Sequence, residues 1–204
     1  MKLIVISPEA EVARESAVVA QLFATGLMHY HLRKPAWGRG ALATFLRAVP
    51  AEFHPRVVLH SHHELAATFK IGGLHFRDAE ISRHGASAGP TTQPLPTSRA
   101  VHDLGTLRVA INAYDRILFS PVFASISKPG YEPDPRISHT ELKPMLALPR
   151  RTEVFALGGV DCSRLPVCHD IGFDGVAVLG AIWQSADPVR AFHELQQALL
   201  AHAA

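Results

Sequence analysis

Residues 153–182, EVFALGGVDCSRLPVCHDIGFDGVAVLGAI, contain the pattern that decides the fold. Two short apolar runs, 153–157 and 175–178, are each followed by a glycine-containing turn, and a short helix near 165–168 lies between them. Continuous apolar runs of this length are typical of parallel strands that are covered on both faces. The stretch therefore predicts a strand–helix–strand unit of a parallel sheet.

The same alternation extends through the rest of the chain. We predict further strands at 3–6, 28–32, 57–60, 73–76 and 116–119. We expect the first helix to start at Ser7-Pro8-Glu9 and the last at Asp187-Pro188, because an N-cap residue followed by proline favours a helix start. Seven or eight such units in 204 residues indicate either an open doubly wound sheet or a small (β/α)₈ barrel. We favour the barrel, because the first strand–helix turn lacks the Gly-x-Gly-x-x-Gly pattern of dinucleotide-binding sheets.

One segment interrupts the alternation. Residues 82–98, SRHGASAGPTTQPLPTS, are rich in Ser, Thr, Gly and Pro, a composition typical of loops. Because the same alternation resumes after it, we interpret it as an irregular loop within a single domain spanning 1–204, and not as a linker.

The composition excludes several classes of protein. Hydrophobic residues make up 48% and charged residues 19%, so a disordered chain is excluded, and a net charge of +2 offers no basic face for nucleic acid. Cys162 and Cys168 match neither a redox nor a zinc spacing, and we expect reduced thiols that pack a helix. No apolar run is long enough for a membrane span. We therefore expect a cytoplasmic protein that binds neither nucleic acid nor membrane; a homo-oligomer is left open.

Histidines follow the predicted strands of this chain, which has 13 of them. His31, His60, His75 and His102 each end, or nearly end, one of four successive strands, and the active site of such a barrel lies at these carboxyl ends. His60 and His62 form an H-x-H pair that could ligate a metal, although no spacing fixes further ligands. We favour a single acid/base histidine and expect no metal.

Glycine turns and one basic loop indicate phosphate binding. The loop 125–130, SISKPG, offers hydroxyls and an ammonium, while Gly158-Gly159 and Gly180 follow the last two strands. Glycine lets backbone N–H groups approach an anion, and the loops after strands 7 and 8 often hold phosphate in barrels. The alternative is that these glycines only make tight strand–helix turns.

These motifs together resemble those of a known family. The run 114–128, YDRILFSPVFASISK, resembles the DY-x-x-x-GPVF-x-T-x-(S/T)-K stretch of thiamin phosphate synthases and their TenI relatives. Four more segments are similar to motifs of that family: VFALGGV at 154–160, GFDGVAVLGAI at 172–182, YHLRK at 30–34 and GLHF at 73–76. The resemblance implies a (β/α)₈ barrel that acts in thiamin biosynthesis on small phosphorylated thiazole or pyrimidine substrates.

The resemblance also implies roles for individual residues. The phosphate of the thiazole would be bound by Ser125, Ser127, Lys128, Gly158, Gly159 and Gly180. Arg33 would face pyrophosphate, next to Lys34. The remaining residues expected to line the pocket are His31, His60 and His75. His102 falls at the position that the acid/base histidine occupies in the TenI branch of this family.

One part of the family pattern is missing. The carboxylate that binds Mg²⁺ in the synthases falls on His60-Ser61, and the second metal carboxylate falls near Asp78 to Glu80. Because this loss removes a hard oxygen ligand, the leading prediction is a TenI-like thiazole phosphate tautomerase without a cofactor, in which His102 moves the ring proton.

Two other functions remain open. The first is a divergent synthase, in which Asp78 or Glu80 and histidines rebuild a Mg²⁺ site. The second is a protein that binds thiazole phosphate or thiamin phosphate without turnover.

Overall fold

Eight parallel strands form a closed barrel in the computed structural model, which describes residues 1–77, 95–124, 126 and 139–201. Each strand pairs with the next along the chain, and the last pairs with the first. Strands β1 to β8 are Lys2–Ile6, His29–Leu32, Val57–Leu59, Gly73–Phe76, Thr97–Val101, Arg116–Phe119, Glu153–Leu157 and Gly175–Val178. The predicted (β/α)₈ barrel is confirmed.

Helices surround the barrel. Helices α1 to α8 are Glu15–Ala24, Arg39–Ala48, Leu65–Phe69, Leu104–Ala110, His139–Ala147, Leu165–Ile171, Gly180–Trp183 and Pro188–Ala201. Two 3₁₀ helices, Ala51–Arg56 and Cys162–Arg164, precede β3 and α6. No helix in the described part of the chain is long and apolar enough to cross a membrane.

The buried apolar residues form two clusters, one outside the barrel and one inside it. The larger cluster packs the outward side chains of the strands against the helices; Leu22 and Leu32 belong to it. The smaller cluster is formed by Ile4, Ile6, Leu118, Phe155 and Ala177, which come from β1, β6, β7 and β8. Because side chains alternate along a strand, these five residues fill the interior.

The start of the first helix differs from the prediction. Helix α1 begins at Glu15, and Val12 is exposed. The hydroxyl of Ser7 does not cap a helix. It accepts a hydrogen bond from the backbone N–H of Arg33 at 2.7 Å and donates one to the backbone carbonyl of Arg33 at 2.9 Å. Ser7 therefore joins the ends of β1 and β2. At α8 the predicted cap is confirmed, because Asp187 accepts from the N–H of Arg190 at 3.0 Å.

The predicted irregular segment 82–98 extends too far at its C-terminal end, where it overlaps a strand. Thr97 and Ser98 are the first residues of β5, where Ser98 pairs in register with His75 of β4. Their β-sheet hydrogen bonds could not be foreseen from the local composition, because the pairing partner is distant in sequence. The part of the segment from 82 to 94 lies outside the described residues.

Candidate active site at the barrel mouth

A cavity of about 450 Å³ opens at the carboxyl ends of the strands. Its polar lining includes the side chains of Glu9, Arg33, His60, His75, Arg77, His102 and Ser120. Its apolar floor and its glycine wall are formed by Ile6, Ala100, Leu118, Ile126, Leu157, Gly158, Gly159, Val160, Ala177, Val178, Leu179 and Gly180. This is the end of the barrel at which the sequence predicted the site.

Three of the predicted pocket histidines form one cluster. Nδ1 of His31 and Nε2 of His60 are hydrogen-bonded at 2.9 Å. The rings of His60 and His75 stack with centroids 3.9 Å apart, and the His31 ring lies edge-on to both. All three side chains are buried, and His31 lies beneath the cavity without lining it. The alternative H-x-H pair is not formed, because His62 is partly exposed and its Nδ1 lies 3.2 Å from Oε1 of Glu64.

Burial determines the charge of the cluster. Desolvation by burial lowers the pKa of His31 well below its usual value, and the neighbouring His75 lowers it further. The pKa of His60 is lowered in the same way, first by burial and then by His75 and His31. His31 and His60 are therefore neutral imidazoles at pH 7, and each has one ring nitrogen with a lone pair.

His102, the predicted proton shuttle, lies at the rim of the cavity directly after β5. Its Nδ1 lies 2.8 Å from the carbonyl oxygen of Ser120. Because a carbonyl only accepts, Nδ1 carries the hydrogen and the lone pair is on Nε2. Ser120 therefore orients an imidazole that can act as a base at the rim.

Two arginines reach the cavity from the ends of β2 and β4. Arg33 is held by Ser7 through its backbone, and its guanidinium forms an ion pair with Glu9. Arg77 directly follows β4 and is also part of the lining. In the closed barrel β4 lies across from β8. The Arg77 side of the cavity therefore faces the glycine turn at Gly180.

Lys34 was predicted to line the pocket, and this prediction is wrong. Among the described residues, those that line the cavity do not include it. Its ammonium is buried behind β2, where it donates to Oε2 of Glu15 at 2.6 Å and to the carbonyl of Ala10 at 3.0 Å. It also lies over the ring of Trp37. The buried carboxylate of Glu15 attracts the ammonium away from the cavity.

Gly158 and Gly159 form the wall of the cavity after β7. Both have a positive φ, and a Cβ on Gly159 would lie 2.1 Å from the carbonyl oxygen of Ala124. The segment after β6 is bound to the same turn, since the N–H groups of Val122 and Phe123 donate to Leu157 and Gly158. Ser125, Ser127 and Lys128 lie outside the described residues.

The described residues do not fit Mg²⁺ at the histidine cluster. Mg²⁺ requires octahedral coordination by oxygen ligands. The cluster offers three imidazole nitrogens, and the position implied for a carboxylate holds His60. Asp78 and Glu80, the residues expected to rebuild a Mg²⁺ site, lie outside the described residues.

Sequence reasoning missed four polar residues near the mouth: Glu9, Arg77, Ser98 and Ser120. A rule for strand ends could have found Arg77 and Ser120, because each directly follows a predicted strand. Glu9 and Ser98 depend on contacts between distant segments. Ser98 contacts Nδ1 of His75 at 3.0 Å across the β4–β5 pair, for example.

Comparisons with known proteins agree with this geometry. Residues 3–182 match the family model described as Thiamine monophosphate synthase, TMP-TENI. The chain is 30% identical over 131 residues to the thiamine-phosphate synthase of Thermoplasma acidophilum. The aligned region covers 59% of this chain and 60% of that protein. The chain is 28% identical over 162 residues to the thiamine-phosphate synthase of Methylobacillus flagellatus, and this aligned region covers 76% of this chain and 72% of that protein. A solved thiamine phosphate pyrophosphorylase from Bacteroides thetaiotaomicron superimposes with a TM-score of 0.78 at 25% identity, covering 97% of each chain.

Proposed function

Because the chain belongs to the thiamine monophosphate synthase family, we propose that it is a synthase-type transferase that joins an aminopyrimidine pyrophosphate to a thiazole phosphate. Relatives from two organisms carry the name thiamine-phosphate synthase. These names favour the synthase over the tautomerase that was the leading prediction from the sequence.

One observation carries the proposal: the cavity has two separate surfaces suited to anions. Arg33 and Arg77 border it after β2 and β4, and glycine turns border it after β7 and β8. A synthase must hold a pyrophosphate and a phosphate at the same time, whereas a tautomerase holds one phosphate. The volume of about 450 Å³ lies within the usual range for small-molecule sites.

The phosphate of the thiazole is assigned to the glycine side. Backbone N–H groups at Gly158, Gly159 and Gly180 can approach an anion closely. Ser125 directly follows Ala124 in the chain, and Ala124 packs against Gly159. Ser125, Ser127 and Lys128 would then complete this subsite.

The pyrophosphate is assigned to the arginine side. During the reaction the bond from the pyrimidine methylene carbon to the pyrophosphate oxygen breaks, and its electron pair leaves with the oxygen. The thiazole nitrogen forms the new C–N bond to the same carbon. Arg33 and Arg77 stabilise the charge that develops on the departing oxygen. The apolar floor at Leu118 and Leu157 packs against the rings and excludes water.

The test is an assay with both substrates and the full chain. We expect thiamin phosphate and pyrophosphate to form in equal amounts, each followed by chromatography. Absence of both products would contradict the proposal. Binding of the thiazole phosphate without turnover in this or the tautomerase assay would instead indicate the non-catalytic binding protein.

His102 supports a second candidate, the thiazole tautomerase. Its Nε2 has a lone pair at the cavity rim because Nδ1 donates to Ser120. An imidazole in this state can take a ring proton from the thiazole and return it at another position. If this is the activity, His102→Ala lowers kcat for the tautomer by about 10²- to 10⁴-fold. An unchanged rate in that variant would exclude His102 as the shuttle.

A further inference from the structure

Two adjacent basic residues follow β2, and their side chains lie on opposite sides of the barrel wall. Arg33 borders the cavity. Lys34 is buried on the outer side, where it contacts the same carboxylate, that of Glu15, as Tyr30 does from β2. Ser7 holds the backbone of Arg33 through its N–H and its carbonyl. Because neighbouring side chains of an extended chain alternate in direction, an outward Lys34 keeps Arg33 on the cavity side.

The side chain of Lys34 is held by a buried network. Its ammonium donates to Oε2 of Glu15 at 2.6 Å and to the carbonyl oxygen of Ala10 at 3.0 Å, and it lies 4.8 Å from the centre of the Trp37 ring. The hydroxyl of Tyr30 donates to the other oxygen of the same carboxylate at 2.9 Å. The side chains of Lys34 and Glu15 are 0% and 4% exposed, so salt and water screen this pair little. The network therefore fixes Lys34 in one place.

The ion pair of Arg33 on the cavity side is of a different kind. Arg33 and its partner Glu9 are 36% and 38% exposed, and exposed ion pairs contribute little and are screened by salt. A more highly charged anion that reaches Arg33 can therefore replace Glu9 at small cost. Glu9 and Ala10 are neighbours in the segment 7–14 between β1 and α1. The hydrogen bond from Lys34 to Ala10 thus holds this segment in place when Glu9 is released.

We propose that Lys34 is a positioning residue that holds Arg33 at the cavity for a pyrophosphate group, which displaces Glu9 from Arg33. Lys34 acts through its buried contacts with Glu15 and Ala10 and does not touch the anion. The identity of the anion rests on the proposed function. Holding a donor in place before the anion arrives raises affinity, because the cost of ordering a long side chain is then not part of binding. Without this network the anion itself must order Arg33.

The first test separates positioning from stability by titrating the full chain with inorganic pyrophosphate in a calorimeter. The apolar variant combines Lys34→Met, Glu15→Leu and Tyr30→Phe and so removes the whole buried network. Its Tm should lie close to that of the wild type, because no buried charge is left without a partner. Pyrophosphate should nevertheless bind about tenfold more weakly, since the anion must then order Arg33. Wild-type affinity in the apolar variant would mean that the network contributes stability alone, and would overturn the proposal.

A second titration tests whether Lys34 acts through Arg33. In the wild-type chain Arg33→Gln should weaken pyrophosphate binding by about ten- to a hundredfold, as expected for one charge-assisted hydrogen bond. In the apolar variant the same substitution should have a smaller effect, because both changes affect one interaction. Lys143→Met, at an exposed position of α5, is the control and should bind like the wild type. Equal factors for Arg33→Gln in both backgrounds would overturn the proposal.

Glu9→Gln gives a measurement that remains decisive even if the apolar variant does not fold. It removes an exposed ion pair and leaves the buried network intact. Pyrophosphate should then bind at least as tightly as in the wild type, by up to about fivefold, because it no longer competes with a carboxylate for Arg33. Weaker binding would mean that Glu9, and not Lys34, positions Arg33, and would overturn the proposal.

Failure of this inference and failure of the proposed function give different results. A wild-type chain that binds pyrophosphate but forms no thiamin phosphate would contradict the proposed function, and the titrations of the variants would still decide the role of Lys34. A chain that forms thiamin phosphate, with equal pyrophosphate affinity in the wild type and the apolar variant, would overturn the role of Lys34 alone. No binding of pyrophosphate to the wild type would also overturn it.

Discussion

The two halves of the barrel interior differ in chemistry. The inner faces of β1, β6, β7 and β8 carry the apolar cluster that includes Phe155. The inner faces of β2, β4 and β5 carry His31, His75 and Ser98, and His60 directly follows β3. Both halves are buried, but only the second must satisfy polar atoms inside the barrel.

The comparison of the two halves shows how each one borders the cavity. Above the apolar half, glycine turns form the cavity wall, and a side chain there would narrow the space that we propose for the thiazole phosphate. In the histidine half the cavity wall is formed by polar side chains, among them His60 and His75. Both halves keep segments that resemble motifs of the thiamin phosphate synthases, but the histidine half has His60 at the position of their metal carboxylate.

The largest predicted effect concerns the buried ion pair behind the histidine half. Lys34 and Glu15 are 0% and 4% exposed and are joined at 2.6 Å. Burial raises the pKa of Glu15, and Lys34 opposes this rise. Lys34→Met leaves the carboxyl without its cation, which should cost about 3–5 kcal/mol. We expect the Tm to fall by about 10 °C in a calorimetric scan.

Two variants test this explanation. In Lys34→Met combined with Glu15→Leu, both charges are replaced by apolar groups, so most of the lost stability should return. Lys143→Met, at an exposed position of α5, should leave the Tm nearly unchanged. If Lys34→Met is no less stable than Lys143→Met, the ion pair does not support this half of the barrel.

The next largest effect is predicted at the glycine turn of the apolar half. Gly159→Ala places a Cβ 2.1 Å from the carbonyl oxygen of Ala124, at a φ of +63°. Backbone strain and overlap should together cost about 2–4 kcal/mol. We expect a Tm lower by about 5–10 °C, and a raised KM for the thiazole phosphate because the Ala124 segment must move.

Gly172→Ala is the matched control for this prediction. Gly172 also has a positive φ, of +98°, but the nearest atom to its Cβ would be 3.6 Å away. It should therefore lose only the strain, about 1–2 kcal/mol, with the KM unchanged. Equal losses of stability and affinity in the two variants would show that the approach of Ala124 to Gly159 has no role in substrate binding.

The third prediction tests whether the arginines serve the pyrophosphate. Arg77→Gln removes a charge from the cavity edge after β4. The KM for the aminopyrimidine pyrophosphate should rise about ten- to a hundredfold, as expected for one charge-assisted hydrogen bond, while the KM for the thiazole phosphate should stay constant. Arg190→Gln, at an exposed ion pair on α8, is the control. A rise in the thiazole KM alone would reverse our assignment of the two surfaces.

The sequence was sufficient for the barrel because its strands read as local apolar runs. It was also sufficient to bring His60, His75 and His102 to one mouth, since parallel strands end at the same side. It could not foresee that Lys34 turns away to Glu15, because that contact is made between β2 and α1 across the outer layer. The packing of His31 against His60 depends on the register of β2, β3 and β4, which local patterns do not determine.

The smallest effect is predicted at Ser98, the polar residue of β5 in the histidine half. Ser98→Ala removes the hydroxyl that is hydrogen-bonded to Nδ1 of His75 at 3.0 Å. The loss of one buried hydrogen bond should cost about 1 kcal/mol and lower the Tm by about 2–4 °C. Ser163→Ala removes an exposed hydroxyl that is hydrogen-bonded to Asp161, and it should leave the Tm unchanged. Equal Tm values in Ser98→Ala and Ser163→Ala would mean that the contact between Ser98 and His75 does not stabilise the barrel.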